Sequence, residues 1–202
     1  MFDQWLRELK DRLFAPVALL IGRQLHPNLI SLLALIVGLA AALLAARGRT
    51  WPAFAAWVIN RMLDGVDGSV ARAGGKQSDL GGYVDTMVDF VVYAAVPLGV
   101  LLGHPSEPAW RAGLFLFATL YVNAASWMYL SAVLERRSQG VEATGERTTV
   151  TMPPAIVAGT ETVVFYSLFL LVPAWVPELF WAMGFLLLCN IVMRLVWAAR
   201  RL

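Results

Sequence analysis

Apolar residues fill long stretches of the chain, and the breaks between them fall at Gly, Pro and charged positions. Pro27 to Ala46 holds twenty residues and Ala112 to Leu134 twenty-three without one charged side chain. A bilayer crossing takes about 20 predominantly apolar residues, so both runs predict transmembrane helices. The same pattern predicts six spans, over roughly 27–46, 51–72, 80–102, 110–134, 153–172 and 175–198. Ahead of them Phe2, Trp5, Leu6, Leu9 and Leu13 recur at helical spacing, with Asp3, Arg7, Lys10 and Asp11 mainly on the other side. That pattern predicts an amphipathic helix lying in the membrane interface over 1–22, followed by a six-span domain over 23–202. A signal peptide is not expected, because acids and bases alternate where its apolar core would run. The expected fold class is an all-α integral membrane protein.

Composition agrees: 59% of the 202 residues are hydrophobic and 15% charged, against about a quarter charged in an ordinary soluble domain. A net charge of +2 is too small to suggest a nucleic-acid partner. Its distribution says more. Arg7, Lys10, Arg12, Arg23, Arg72, Lys76, Arg136, Arg137, Arg147, Arg200 and Arg201 share one side if both termini do; only Arg47, Arg49 and Arg111 fall opposite. The positive-inside rule then makes both termini cytoplasmic, with a basic face suited to anionic lipid head groups. The single cysteine, Cys189, cannot form an internal disulfide and reads as packing filler. His26 reads as a membrane-edge residue and His104 as a loop residue, so zinc is not expected. Asn123, Ser126, Asn190 and Arg194 read as polar contacts between helices.

The costly residues are four aspartates in Leu63 to Asp89, LDGVDGSVARAGGKQSDLGGYVDTMVD. Asp64, Asp67, Gly68, Ala71 and Arg72 follow i, i+3, i+4, i+7, i+8, which makes one stripe on a helix. Asp85 and Asp89 stand i, i+4 on the next span. If the second and third spans pack side by side, the four carboxylates face one another and repel unless cations sit between them. Hard divalent ions such as Mg2+ or Mn2+ suit oxygen ligands, and four carboxylates leave room for two ions. Gly65, Gly68 and Ala71 keep the stripe shallow, and Arg72 offers a donor fork suited to phosphate. Metal, cationic clamp and small residues together suggest phosphoryl transfer. Two other readings use the same residues. The aspartates can pair with Arg61, Arg72 and Arg194 simply to hold helices together, or they can mark a cation-transport path. No broken-helix Gly/Pro pair recurs in the two halves, which counts against transport.

The spacing resembles the signature of the CDP-alcohol phosphotransferase family: D-x-x-D-G-x-x-A-R, eight residues, then G-x-x-x-D-x-x-x-D. Asp64, Asp67, Gly68, Ala71, Arg72, Gly81, Asp85 and Asp89 fill its eight fixed positions, and HPNLIS at the first span resembles the family's Pro-Asn-x-x-Ser/Thr helix start. The resemblance implies that Asp64, Asp67, Asp85 and Asp89 hold Mg2+ or Mn2+, with Asp89 also the base that deprotonates the acceptor hydroxyl. It implies that Gly68, Ala71, Arg72, Gly81, Asn28 and Ser31 line the nucleotide site. The implied reaction moves a phosphatidyl group from CDP-diacylglycerol to a small polar alcohol and releases CMP. Some family members instead join CDP-choline or CDP-ethanolamine to diacylglycerol. A homodimer in the bacterial inner membrane, with a cytoplasmic active site, is the expected assembly.

The acceptor is not written in the signature. Candidate contacts are Arg61, Arg136, Arg147 and the intramembrane acid Glu161, whose GTET stretch resembles one in the choline and ethanolamine enzymes. The stretch after Asp89, FVVYAAVPLG, lacks the Lys-Leu of glycerophosphate-type members and resembles serine-type members somewhat more closely.

Overall fold

The uncharged run from Pro27 folds as α1, Pro27–Ala46, with Pro27 at a helix start, where its missing N–H costs nothing. The computed structural model describes residues 27–75, 77–140 and 155–202, the side chains of Arg72 and Ala73 excepted. The expected amphipathic helix over 1–22 lies outside them, as do Arg147 and Lys76. Among the described residues five more helices follow: α2, Thr50–Ala73; α3, Asp79–Gly103; α4, Glu107–Arg136; α5, Gly159–Leu171; and α6, Val176–Arg201, preceded by a 3-10 turn at Pro173–Trp175. No strand occurs among the described residues.

Among the described residues four segments are long and apolar enough to cross a bilayer: Pro27–Ala46, Asp79–Gly103, Glu107–Arg136 and Pro173–Arg201. The other two expected spans are helical but depart from that standard for visible reasons. In α2 the N-terminal half is largely apolar up to Asn60, while the charged positions Arg61, Asp64, Asp67 and Arg72 fall from its middle onward. The fifth was expected over 153–172, yet α5 has 13 residues and starts at Gly159. Just before it, the amides of Ile156 and Val157 both donate to Asn190 Oδ1, at 2.6 and 3.2 Å, and Asn190 Nδ2 returns a bond to the Val157 carbonyl. Amides engaged by a side chain in this way are not available to a helical ladder.

The chain divides into two compact units. In the first, residues up to 104 with 166–173, α1 packs against both α2 and α3. Its contact with α3 runs along small residues. A methyl group added at Gly99 would collide with the Ala42 carbonyl, one at Gly103 with the Ala45 carbonyl, and one at Gly38 with Val92. Helices approach closely where such positions line up, a common device in membranes. The outer side of α1 exposes Leu29, Leu32, Ile36 and Leu43, the apolar surface a lipid-facing helix keeps.

In the second unit, residues 105–165 with 174–202, α4 and α6 pack together. Ser106 caps α4 by accepting from the Ala109 amide. Phe115 lies against Trp181 and Phe185, with ring centroids 4.7 and 5.0 Å away, in space that Gly184 leaves open. Arg194 donates to the Asn123 carbonyl and side-chain oxygen, at 3.2 and 2.8 Å. Asn123 and Arg194 thus make the contact between helices expected of them, whereas Asn190 bonds the non-helical backbone ahead of α5. Cys189 does not: it is exposed, on the same apolar outer side as Phe185, Leu188 and Val192, rather than packed inside.

Candidate functional site

The turn between α2 and α3 sets the two carboxylate pairs. The Gly74 amide still bonds to the Val70 carbonyl, and Gly75 then takes a φ of +59°, the left-handed conformation that ends helices and favours glycine. Ser78 opens α3, its Oγ accepting from the Gly81 amide at 3.1 Å. Asp64 and Asp67 therefore project from the last turns of α2, and Asp85 and Asp89 from the first turns of α3.

The side-by-side packing of these two helices is only partly realised. Each packs mainly on α1, and they meet through long side chains. Arg61 Nη1 lies 3.0 Å from Asp89 Oδ1 and 3.7 Å from Asp64 Oδ2, and Trp57 faces Tyr93 with ring centroids 6.3 Å apart. Consequently no three His, Cys, Asp or Glu side chains converge as a finished metal cage among the described residues. The Arg61 guanidinium stands between one carboxylate of each pair, Asp64 and Asp89.

Asp67 is the most deeply placed of the four, 4% exposed. Ser31 on α1 donates to its Oδ2 at 2.7 Å, above a small apolar cluster of Ile30, Leu63, Val66 and Val70. A charge-assisted bond of this length fixes the carboxylate. Ser31, expected at the nucleotide, donates here to an aspartate of the same site. Asn28, one turn earlier, stands beside Gly81: a methyl group added at Gly81 would sit 3.6 Å from Asn28 Oδ1 and 3.1 Å from Ser78 Oγ. Asn28 and Gly81 are thus neighbours across α1 and α3, as a shared binding surface requires. Gly68 and Ala71 are half-buried on α2, and the Arg72 side chain lies outside the described residues.

Arg61 occupies a built environment. Its Nε donates to Asn60 Oδ1 at 2.8 Å and its Nη1 to the Tyr93 hydroxyl at 2.9 Å. Its guanidinium carbon lies 4.8 Å from the Trp57 ring centre and 5.0 Å from that of Tyr93. Tyr166 donates to the Tyr93 carbonyl at 2.6 Å and stacks on Trp57. The Arg61–Asp89 contact is ionic in distance but not aligned as a hydrogen bond, so Asp89 Oδ1 is a buried acceptor with no donor aimed at it. The aromatic shell around Arg61 was not foreseen. Trp57, Arg61 and the i+4 spacing between them were visible, but the reach of Tyr93 and Tyr166 was not.

Two further acceptor candidates lie in the second unit. Arg136 is exposed in the last turn of α4. Glu161 is exposed and accepts from the Ala158 amide at 3.0 Å, closing the start of α5.

The donor chemistry suits a hard divalent cation. Carboxylate oxygens dominate, Asp67 is oriented by a serine, and Asp89 keeps a buried oxygen without a hydrogen. Orphaned acceptors of that kind call for a partner.

A family model described as CDP-alcohol phosphatidyltransferase matches residues 24–199. An inner membrane protein of Escherichia coli, YnjF, is 31% identical over 176 residues, covering 87% of this chain and 84% of its own. Among solved structures, the phosphatidylinositol phosphate synthase PgsA1 of Mycobacterium tuberculosis with CDP-DAG bound superposes with a TM-score of 0.70. It has 21% identity, over 91% of this chain and 92% of that one. The same synthase in complex with manganese and citrate superposes with a TM-score of 0.69 at 20% identity, over 90% and 87% of the two chains. At these identities the two structures establish a shared fold. The cation-transport reading finds no support in any of these matches.

Proposed function

The chain belongs to the CDP-alcohol phosphatidyltransferase family, and from that premise we propose that it transfers a phosphatidyl group from CDP-diacylglycerol to a small polar alcohol, releasing CMP. The observation that carries the reading is the pair of carboxylates on each of α2 and α3, with Asp67 oriented by Ser31 and Asp89 retaining an acceptor without a donor. Asp64, Asp67, Asp85 and Asp89 would hold one or two Mg2+ or Mn2+ ions. Bound there, such ions would neutralise charge on the pyrophosphate oxygens and polarise the acceptor hydroxyl.

Asp89 takes the hydroxyl proton; the acceptor oxygen forms a bond to the phosphatidyl phosphorus as the bond from that phosphorus to CMP breaks. An aspartate is a weak base, so reach to the hydroxyl matters more than basicity. Gly68, Ala71 and Gly81 keep room for the nucleotide beside Asn28, and Arg72 clamps its phosphates. Ser31 serves this surface through Asp67. Arg136, Arg147 and Glu161 are the acceptor candidates, Arg61 being occupied by Asp64 and Asp89. We take residues 1–22 as an interfacial helix and 23–202 as the catalytic domain, with α2 and α5 completing six spans. The protein would be a homodimer of the bacterial inner membrane, its termini and active site cytoplasmic.

The second direction, CDP-choline or CDP-ethanolamine to diacylglycerol, is kept by Glu161 alone, an acid suited to a cationic amine. A panel of serine, glycerol 3-phosphate, inositol 1-phosphate, ethanolamine and choline, with product lipids read by mass, separates the two. One product from CDP-diacylglycerol supports the first reading; product only from a CDP-amine and diacylglycerol replaces it.

A further inference from the structure

Arg61 lies between Asp64 of α2 and Asp89 of α3, where a surface anchor would gain nothing. Three kinds of contact hold it there. Asn60 and Tyr93 accept from its Nε and Nη1, and Asn60 is itself fixed by a bond from Nδ2 to the Ala34 carbonyl at 2.7 Å. Trp57 and Tyr93 lie against the guanidinium plane, an arrangement that favours a cation. Asp64 and Asp89, from different helices, sit at ion-pair distance from one nitrogen. The side chain is 10% exposed. Yet the fit to the carboxylates is imperfect: Nη2 is buried without an acceptor, and Asp89 Oδ1 lacks an aligned donor. A guanidinium evolved only to pair with aspartate would make the two-pronged contact that its shape allows.

We propose that Arg61 is a resident counter-cation of the carboxylate set. It offsets the repulsion among the aspartates while no metal ion is bound, and it competes with a divalent ion for Asp64 and Asp89. The proposal rests on the metal-binding reading of those residues given above. Arg61 is then a positioning residue: it keeps the facing pairs of α2 and α3 at a fixed separation, ready for a stronger cation. The competing explanation makes Arg61 a packing anchor for Trp57, Tyr93 and Tyr166, with no relation to metal.

The two differ in how the loss of Arg61 depends on metal. The full chain in detergent is compared with Arg61→Met, which keeps the apolar stem against Trp57, and Arg61→Lys, which keeps the charge but loses the fork. Thermal unfolding is followed in EDTA and in saturating Mn2+, and Mn2+ affinity is measured from the paramagnetic resonance of the free ion. Arg61→Met should lower the midpoint by about 5 °C in EDTA and recover most of that loss in Mn2+. Its Mn2+ affinity should rise about tenfold, equivalent to about 1.4 kcal/mol, with Arg61→Lys in between. Equal losses with and without metal, at unchanged affinity, would overturn the proposal and leave the packing anchor. Should Arg61→Met fail to accumulate, Arg61→Lys decides alone: about threefold tighter Mn2+ binding is expected, and unchanged affinity overturns the idea. If the wild-type chain binds no Mn2+ at all, the metal reading falls and this proposal with it. Wild-type binding that no Arg61 variant alters removes only the role of Arg61.

Discussion

Ser31→Ala separates a serine that orients a carboxylate from one that touches nucleotide. In the structure Ser31 Oγ donates to Asp67 Oδ2 at 2.7 Å, and both residues are buried, at 5% and 4% exposure. A hydrogen bond to a buried charged group is worth about 1.5–3 kcal/mol. If all of it were lost on metal binding, affinity would fall by a factor of roughly 10 to 150. The bond exists before metal arrives, however, so only its share in holding Asp67 in the ligating orientation is lost. Removing a group that orients a ligand costs about 10- to 100-fold in metal affinity, and the low end applies here. The expected result is a metal-activation midpoint raised about tenfold, with the KM for CDP-diacylglycerol unchanged at saturating Mn2+. The assay is CMP release across a Mn2+ titration at fixed donor, then across donor at fixed Mn2+. A variant with an unshifted metal midpoint and a raised donor KM would refute the reasoning and return Ser31 to the nucleotide.

Other outcomes follow from single contacts. Gly99→Ala puts a methyl group onto the Ala42 carbonyl, and backbone cannot move aside as a side chain can. It should destabilise by about 1–3 kcal/mol, read as a lowered thermal midpoint. Gly159→Ala, with nothing within 4 Å, is the control and should stay within about 0.5 kcal/mol of wild type; equal effects would deny the close approach of α1 and α3. Glu161→Gln keeps an oxygen able to accept from the Ala158 amide, so folding should be intact. Turnover with ethanolamine or choline substrates should drop about tenfold, and equal turnover with every substrate removes Glu161 from the acceptor site.

Much of the architecture was legible because membrane helices are written in runs. The uncharged stretch from Pro27 to Ala46 is a helix with those same ends, and Asp79–Gly103 lies within a residue of the expected 80–102 at each end. The grouping of the aspartates was legible too, since i, i+3 and i, i+4 spacing puts side chains on one face. Partners distant in sequence were not. Ser31 reaches Asp67 across 36 positions, and a serine one turn into an apolar helix carries no mark of which neighbour it will meet. Which helices lie together was equally hidden: the glycines that let α1 meet α3 look no different in sequence from those of a loop. Arg61 was named beside Asp64 and Asp89 as a pairing partner and also as an acceptor contact. Its long side chain suits either, and only Asn60, Trp57 and Tyr93 decide where it rests. The fifth span misled for a related reason. Its apolar composition predicted a long helix, while Asn190 from α6 claimed the amides of Ile156 and Val157.

The most direct test is CMP release from CDP-diacylglycerol by the purified chain, with Mn2+ or Mg2+ and the acceptor panel, beside Asp89→Asn. The account predicts metal-dependent CMP release with at least one acceptor in the wild-type chain. In Asp89→Asn it predicts a loss of at least about a hundredfold with CDP-diacylglycerol still bound. CMP release that continues undiminished in Asp89→Asn, or in EDTA, would contradict it.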